Sequence, residues 1–218
     1  MDTRKLLAEA IGTFILVGVG SLSIVSAGAA DVSGLLVAPF GFGLGLLAAI
    51  VVTGHISGGH YNPAVTLGAF VDRRIDVVGA IGYVVAQVVG AAAASAIVLV
   101  LTDAAIVAST KNVPGTGVTD LGAFITEVVL TAVFVAVILT VTKRDAGHAW
   151  LVIPLTLLVI HFAGIPISGA SVNPARALGP ALVSGDLDSI WIYLTAPFVG
   201  ALVGWAAYRL LGNDGATT

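Results

Sequence analysis

The sequence contains no cysteine, a single methionine and four histidines, and only 10% of its 218 residues are charged. Without cysteine there can be no disulfide, thiolate metal site or cysteine nucleophile, and mercury reagents find no thiol on which to act. Four scattered histidines do not suggest a metal site. His55 and His60, with no third ligand or carboxylate beside them, read instead as residues that orient a loop. A formal net charge of -3 argues against a nucleic-acid partner. No nucleophile, base and orienting group converge in the pattern, so nothing points to an enzyme or to a cofactor. What is abundant is apolar: 58% of residues are hydrophobic and the mean hydropathy is +1.08. A soluble globule of this length needs more polar surface, so the chain belongs in a bilayer.

Apolar stretches of spanning length, about 20 residues each, run over Leu6–Ser26, Leu35–Thr53, Val77–Thr102, Leu121–Thr142, Trp150–Ile165 and Ile190–Leu211. Arg4 and Lys5 ahead of the first stretch imitate a secretion signal, but Glu9 and the length of the run suit a membrane span better. The breaks between spans are polar or rich in turn residues, and none is long enough for a separate soluble domain. The expected fold is therefore an all-α membrane protein with six transmembrane helices. Six spans put both termini on one side, together with Arg4, Lys5, Arg73, Arg74, Lys143, Arg144 and Arg209. These are seven of the nine basic residues, leaving Lys111 and Arg176 elsewhere. By the positive-inside rule the termini face the cytoplasm and the protein is a multi-pass protein of the cell membrane. Trp150, Trp191 and Tyr208 near span ends read as interfacial anchors.

Two segments interrupt the apolar pattern. "HISGGHYNPAVTLG" starts at His55 and "PISGASVNPARALG" at Pro166, and they share Ile-Ser-Gly-x-x-x-Asn-Pro-Ala-x-x-Leu-Gly. Each lies before the third span of its half. Glu9 with Thr13 in the first span likewise matches Glu127 with Thr131 in the fourth. An odd number of spans per half means that the halves, residues 1–110 and 111–218 of a single channel domain, enter the membrane from opposite sides as an inverted repeat. A carboxylate in hydrocarbon is costly, so both glutamates should face the bundle interior and meet donors there. Gly90 with Ala94, and Gly200 with Gly204, have the small-x-x-x-small spacing of closely packed membrane helices.

In each segment, asparagine followed by proline reads as a helix start, with Asn62 and Asn173 at the N-cap and Pro63 and Pro174 at the first helical position. Ala64 to Val71 and Ala175 to Val183 are then helices of only about 13 Å at ~1.5 Å per residue, under half of a ~30 Å core. Two such re-entrant half-helices would meet near the midplane, each tip carrying roughly half a positive charge. With its oxygen accepting from its own helix, each asparagine would keep its NH2 to donate into a pore. The Ile-Ser-Gly-x-x-x stretches should run extended, Pro166 ending the fifth span, with the carbonyls of Gly58, Gly59, His60, Tyr61, Gly169 and Ser171 lining a path. A ladder of acceptors ending in two donors suits water or another small neutral solute. Arg176 breaks a local rule, for a cation in the first turn of a helix opposes the dipole, and such exceptions mark functional sites.

The paired Asn-Pro-Ala boxes, the second followed by Arg, and the early Glu of each half resemble the aquaporin and glycerol-facilitator family, over essentially the whole chain. The resemblance implies a right-handed bundle of six spans and two half-helices, usually a homotetramer with one pore per protomer, and a passive channel. It also implies a narrow filter at Phe42, His161, Ala170 and Arg176. Phe42 with His161 resembles the water-selective members, whereas facilitators tend to carry Trp and Gly there. Ala177 and Ala181 stand where facilitators usually have Asp and a basic residue. Tyr193 is aromatic as in water channels, though Leu194 replaces the Trp often found next. Ala170 replaces the commoner Cys or Thr, which slightly widens the filter. The alternatives are a glycerol facilitator and, from another class, an ion-coupled secondary transporter. Against the transporter stands the scarcity of ionisable groups within the spans beyond Glu9, Glu127, His161 and Arg176.

Overall fold

The computed structural model describes residues 2–212, and residue 1 and residues 213–218 of the two expected repeats lie outside it. Among the described residues every regular element is helical, and six helices are long and apolar enough to cross a membrane. In chain order these are α1 (Thr3–Ala29), α2 (Gly34–Ala49) continued by a π turn (Ile50–Gly54) and α3 (His55–Ser57), α5 (Val77–Leu101), α7 (Asp120–Arg144), α8 (Ala149–Ser168) and α10 (Ile190–Leu211). Two short helices, α4 (Pro63–Val71) and α9 (Pro174–Ser184), follow the Asn-Pro pairs. A short α6 (Ala104–Ser109), which hydropathy does not signal, lies in the loop between α5 and α7.

Two spans are longer than their hydropathy suggests. The helices run through Ile56 and Ser57, and through Pro166 to Ser168, before they stop. Neither Pro166 nor the start of the motif ends them. Gly58 and Gly169 do, taking left-handed φ of 91° and 78° and donating back to Gly54 O and Ile165 O. Pro166 removes only its own donor, and the Ile167 carbonyl near the helix end accepts from Gly115 N. The π turn has a visible cause: the Tyr61 hydroxyl reaches in to Thr53 Oγ1 (2.7 Å) and Ala49 O (3.2 Å), which breaks the i→i−4 ladder there.

Close helix packing follows from small residues. A Cβ added at Gly90 would lie 2.2 Å from Ala10 O, one at Gly200 2.5 Å from Val128 O, and one at Gly204 2.3 Å from Ala132 O. Backbones thus touch where α5 meets α1 and where α10 meets α7, and with lipid tails as apolar as leucine this contact is what holds such helices together. Large apolar side chains such as Ile81, Val100, Leu121 and Val159 are exposed on the outer surface, as a bilayer permits. Trp150 and Trp191 are half exposed, in keeping with anchors. Tyr208 is not an anchor but is buried inside, under the cations Arg74 and Lys143.

Candidate functional site

Each Asn-Pro pair starts its short helix as the chemistry requires. Asn62 Oδ1 accepts from Ala64 N, and Asn173 Oδ1 from Ala175 N and Arg176 N, with Pro63 and Pro174 at the first position. The amide groups, however, are not wholly free. Asn62 Nδ2 donates to Val172 O (2.7 Å) and Asn173 Nδ2 to Tyr61 O (3.0 Å), so the tips are bolted crosswise and one N–H of each amide remains.

The loops leading to the tips are strained in the same way. Gly58, Gly59 and Tyr61 in one, and Gly169, Ala170 and Val172 in the other, have positive φ. Non-glycine residues there cost about 1–2 kcal/mol each, and the two glutamates hold them in place. Glu9 accepts from Ser57 Oγ (2.6 Å), His60 N (3.0 Å), Tyr61 N (2.7 Å) and Gln87 Nε2 (2.8 Å). Glu127 accepts from Ser168 Oγ (2.8 Å), Ser171 N (2.8 Å) and Val172 N (2.7 Å). Both are fully buried, facing the bundle interior as expected. His60 Nδ1 bonds Thr66 Oγ1, which fits a loop-orienting role, whereas His55 is exposed and takes no part in one.

A cavity of about 340 Å³ runs past these tips from Arg74 and Thr142, on the side of the termini, to His161 and Arg176 near the far side. One flank is polar, with Gly58, Gly59, His60, Asn62, Ser171 and Asn173. The opposite flank is aliphatic and aromatic. Tyr61 and Gly169, expected to offer carbonyls to the path, are not among the residues lining this cavity, and their oxygens accept from Asn173 Nδ2 and Asn112 Nδ2.

Toward the far side three of the four filter candidates come together. The rings of Phe42 and His161 stack at 4.8 Å, and Arg176 Cζ lies 4.6 Å from the Phe42 centroid. Ala170 is not among the residues lining the cavity, and its Cβ lies 2.9 Å from where a Cβ on Gly164 would be. His161 Nδ1 lies 2.9 Å from Leu157 O, and since a carbonyl only accepts, Nδ1 carries the proton. In the neutral ring Nε2 is then an acceptor. Among the described residues His161 Nε2 and Arg176 Nε, both of residues that line the cavity, are buried without a hydrogen-bond partner. Arg176 is 5% exposed and is not snorkelling to lipid headgroups.

The loop after α6 contributes what sequence reasoning missed. Arg176 Nη1 donates to Thr110 O (3.2 Å) and to Asn112 Oδ1, while Asn112 Nδ2 donates to Gly169 O (2.8 Å). One buried amide thus ties the arginine to the second pore loop. Lys111 beside it pairs with Asp186, and that hydrogen bond holds the Asp186 carboxyl below its ordinary value. The only sequence signal was an unusually polar stretch, Thr110 to Asn112, in a chain otherwise poor in such residues.

The model of the major intrinsic protein family matches residues 1–208. The chain is 40% identical to "Glycerol uptake facilitator protein-like 6" of Lactiplantibacillus plantarum, over 97% of this chain and 99% of that one. It is 38% identical to "Aquaporin Z" of Photorhabdus laumondii, over 95% and 97% respectively. Among solved structures it is similar to the aquaglyceroporin from Plasmodium falciparum, with a TM-score of 0.88 at 26% identity and 97% of both chains covered.

Proposed function

The chain belongs to the major intrinsic protein family, whose members are channels and not enzymes, and on that premise we propose that it is a passive, water-selective channel excluding protons and ions. The observation that carries the reading is the cluster of Phe42, His161 and Arg176 on the wall of a single cavity. There a water molecule donates to His161 Nε2 and accepts from Arg176 Nε, and the Phe42 ring denies space to a carbon backbone. At the tips the second N–H of Asn62 and of Asn173 donates to the water oxygen. The positive ends of two half-helices and the Arg176 charge oppose any cation. We read the chain as two inverted repeats, 1–110 and 111–218, with cytoplasmic termini; the matched Glu9 and Glu127 networks and the seven basic residues support this. A second reading, a facilitator of glycerol, is favoured by the name of the Lactiplantibacillus relative.

Osmotic shrinkage of proteoliposomes tests the channel itself. Water flux should exceed that of empty vesicles and ignore an imposed proton or Na+ gradient; solute uptake driven by either gradient would make it a transporter.

Asn112 supplies a sharper test of the charge barrier. Arg176 donates to the neutral acceptors Thr110 O and Asn112 Oδ1, so no carboxylate is hydrogen-bonded to its guanidinium among the described residues. Asn112→Asp keeps the acceptor and adds a compensating charge at the cost of the Nδ2 bond to Gly169 O, and Asn112→Ser, which loses that bond without adding charge, is the control. The ratio of proton leak to water flux, read with a pH-sensitive dye under an imposed potential, should rise roughly tenfold, the factor carried by ~1.4 kcal/mol of lost repulsion. A wild-type ratio in this variant would show that the barrier does not depend on the arginine's charge.

A further inference from the structure

A second arginine reaches the same cavity at its other end. The half-helix α4 is C-capped by Asp72, and Arg73 at φ 60° reverses the chain so that Arg74 N donates to Ala69 O. Arg74 therefore sits at the helix C-terminus, where the dipole favours a cation, the reverse of Arg176 at the N-terminus of α9. Its guanidinium crosses from the first pore segment to α7 and α10. Nη1 donates to Thr142 Oγ1 (2.6 Å), and Nη2 to Leu139 O (2.9 Å) and the Tyr208 hydroxyl (3.4 Å). Nε pairs with Asp72 Oδ2 at 2.8 Å. The Asp72 side chain, only 7% exposed, also accepts from Trp205 Nε1 (3.3 Å) and lies 4.0 Å from Arg209. Lys143 Nζ stands 5.9 Å from the Tyr208 ring centroid, Arg74 Cζ 5.8 Å from it. At this mouth two cations, Arg74 and Arg209, thus flank the one carboxylate of Asp72, and Arg74, Leu139 and Thr142 of the cluster are on the cavity wall.

We propose that Arg74, with its charge set against that of Asp72, is a second specificity-determining residue: a net positive collar at the terminal-side mouth that repels cations before they reach the half-helix tips. Cation exclusion is then shared between the two ends of the path. At the far end the arginine has no carboxylate hydrogen-bonded to it among the described residues, and at this end the arginine is directly paired with one. Asp72 limits the surplus and holds the guanidinium at the wall.

The proposal rests on the channel reading, and its test keeps the two apart. In liposomes carrying Arg176→Val, in which loss of the far-end charge should raise the leak, K+ flux under an imposed potential is compared after adding Arg74→Met or Asp72→Asn. The collar predicts opposite signs: loss of the cation raises the leak about fourfold, and loss of the anion lowers it by a similar factor, both effects shrinking in high salt. A merely structural clamp predicts the same sign for both, because each substitution breaks the same ion pair, and that result overturns the collar. Should Arg74→Met fail to fold, Asp72→Asn decides: a leak below that of Arg176→Val supports the collar, and an equal or larger one refutes it. Wild-type protein in parallel vesicles reports on the underlying reading. Water flux there with same-sign variants removes the collar alone, and no water flux removes both.

Discussion

Glu127→Ala should lower the apparent melting temperature in detergent by roughly 10 °C or more, and what survives should conduct poorly. The carboxylate is the shared acceptor for Ser168 Oγ, Ser171 N and Val172 N, fully buried where no water replaces it. Leaving a buried donor unpaired costs about 1–3 kcal/mol, and here three are freed at once. Two of those amides belong to or adjoin residues in the left-handed region, Ala170 and Val172, whose strain is tolerated only while the glutamate holds them. A loss of ~3 kcal/mol or more in a protein of this size corresponds to that shift in melting temperature. Size-exclusion chromatography of heated detergent samples measures it. An unchanged profile would mean that the loop holds its shape without the glutamate. Glu127→Gln, which keeps one acceptor oxygen, should fall between.

The second large effect concerns selectivity. Phe42→Trp with His161→Gly removes the bare Nε2 acceptor, opens the space the imidazole filled beside the stacked ring, and leaves an apolar wall facing Arg176. Glycerol flux relative to water should rise at least tenfold, because a carbon backbone then has an apolar surface to slide on and its hydroxyls still meet the guanidinium. A ratio unchanged from wild type would place the narrowest point elsewhere in the cavity.

Features that occur twice, and features that obey local rules, could be read from the amino-acid order. The Asn-Pro pairs declare helix starts through capping chemistry alone, and the duplicated Glu9 and Glu127 declare buried carboxylates because hydrocarbon tolerates nothing else. What escaped were contacts between parts distant in sequence that occur once. Asn112 lies 64 residues from the arginine it holds, on a loop with no counterpart in the first half. Arg74 looked like one of several loop cations until the fold brought Thr142, Leu139 and Tyr208 around it. The helix ends slipped for a different reason: proline is a weaker stop than a glycine that can turn left-handed, so Gly169 and not Pro166 ends α8. The direction of His161 was hidden too, since which nitrogen faces the cavity depends on a carbonyl one turn back, Leu157 O.

The central claim is that Phe42, His161 and Arg176 admit water and turn away glycerol. Stopped-flow light scattering on vesicles holding the unmodified protein tests it most directly, with one batch challenged first by an impermeant osmolyte and then by glycerol. Rapid shrinkage in both cases, followed in glycerol by reswelling no faster than in empty vesicles, is the predicted result. Reswelling in glycerol at a rate rivalling the water phase would contradict the account and make the protein a glycerol facilitator.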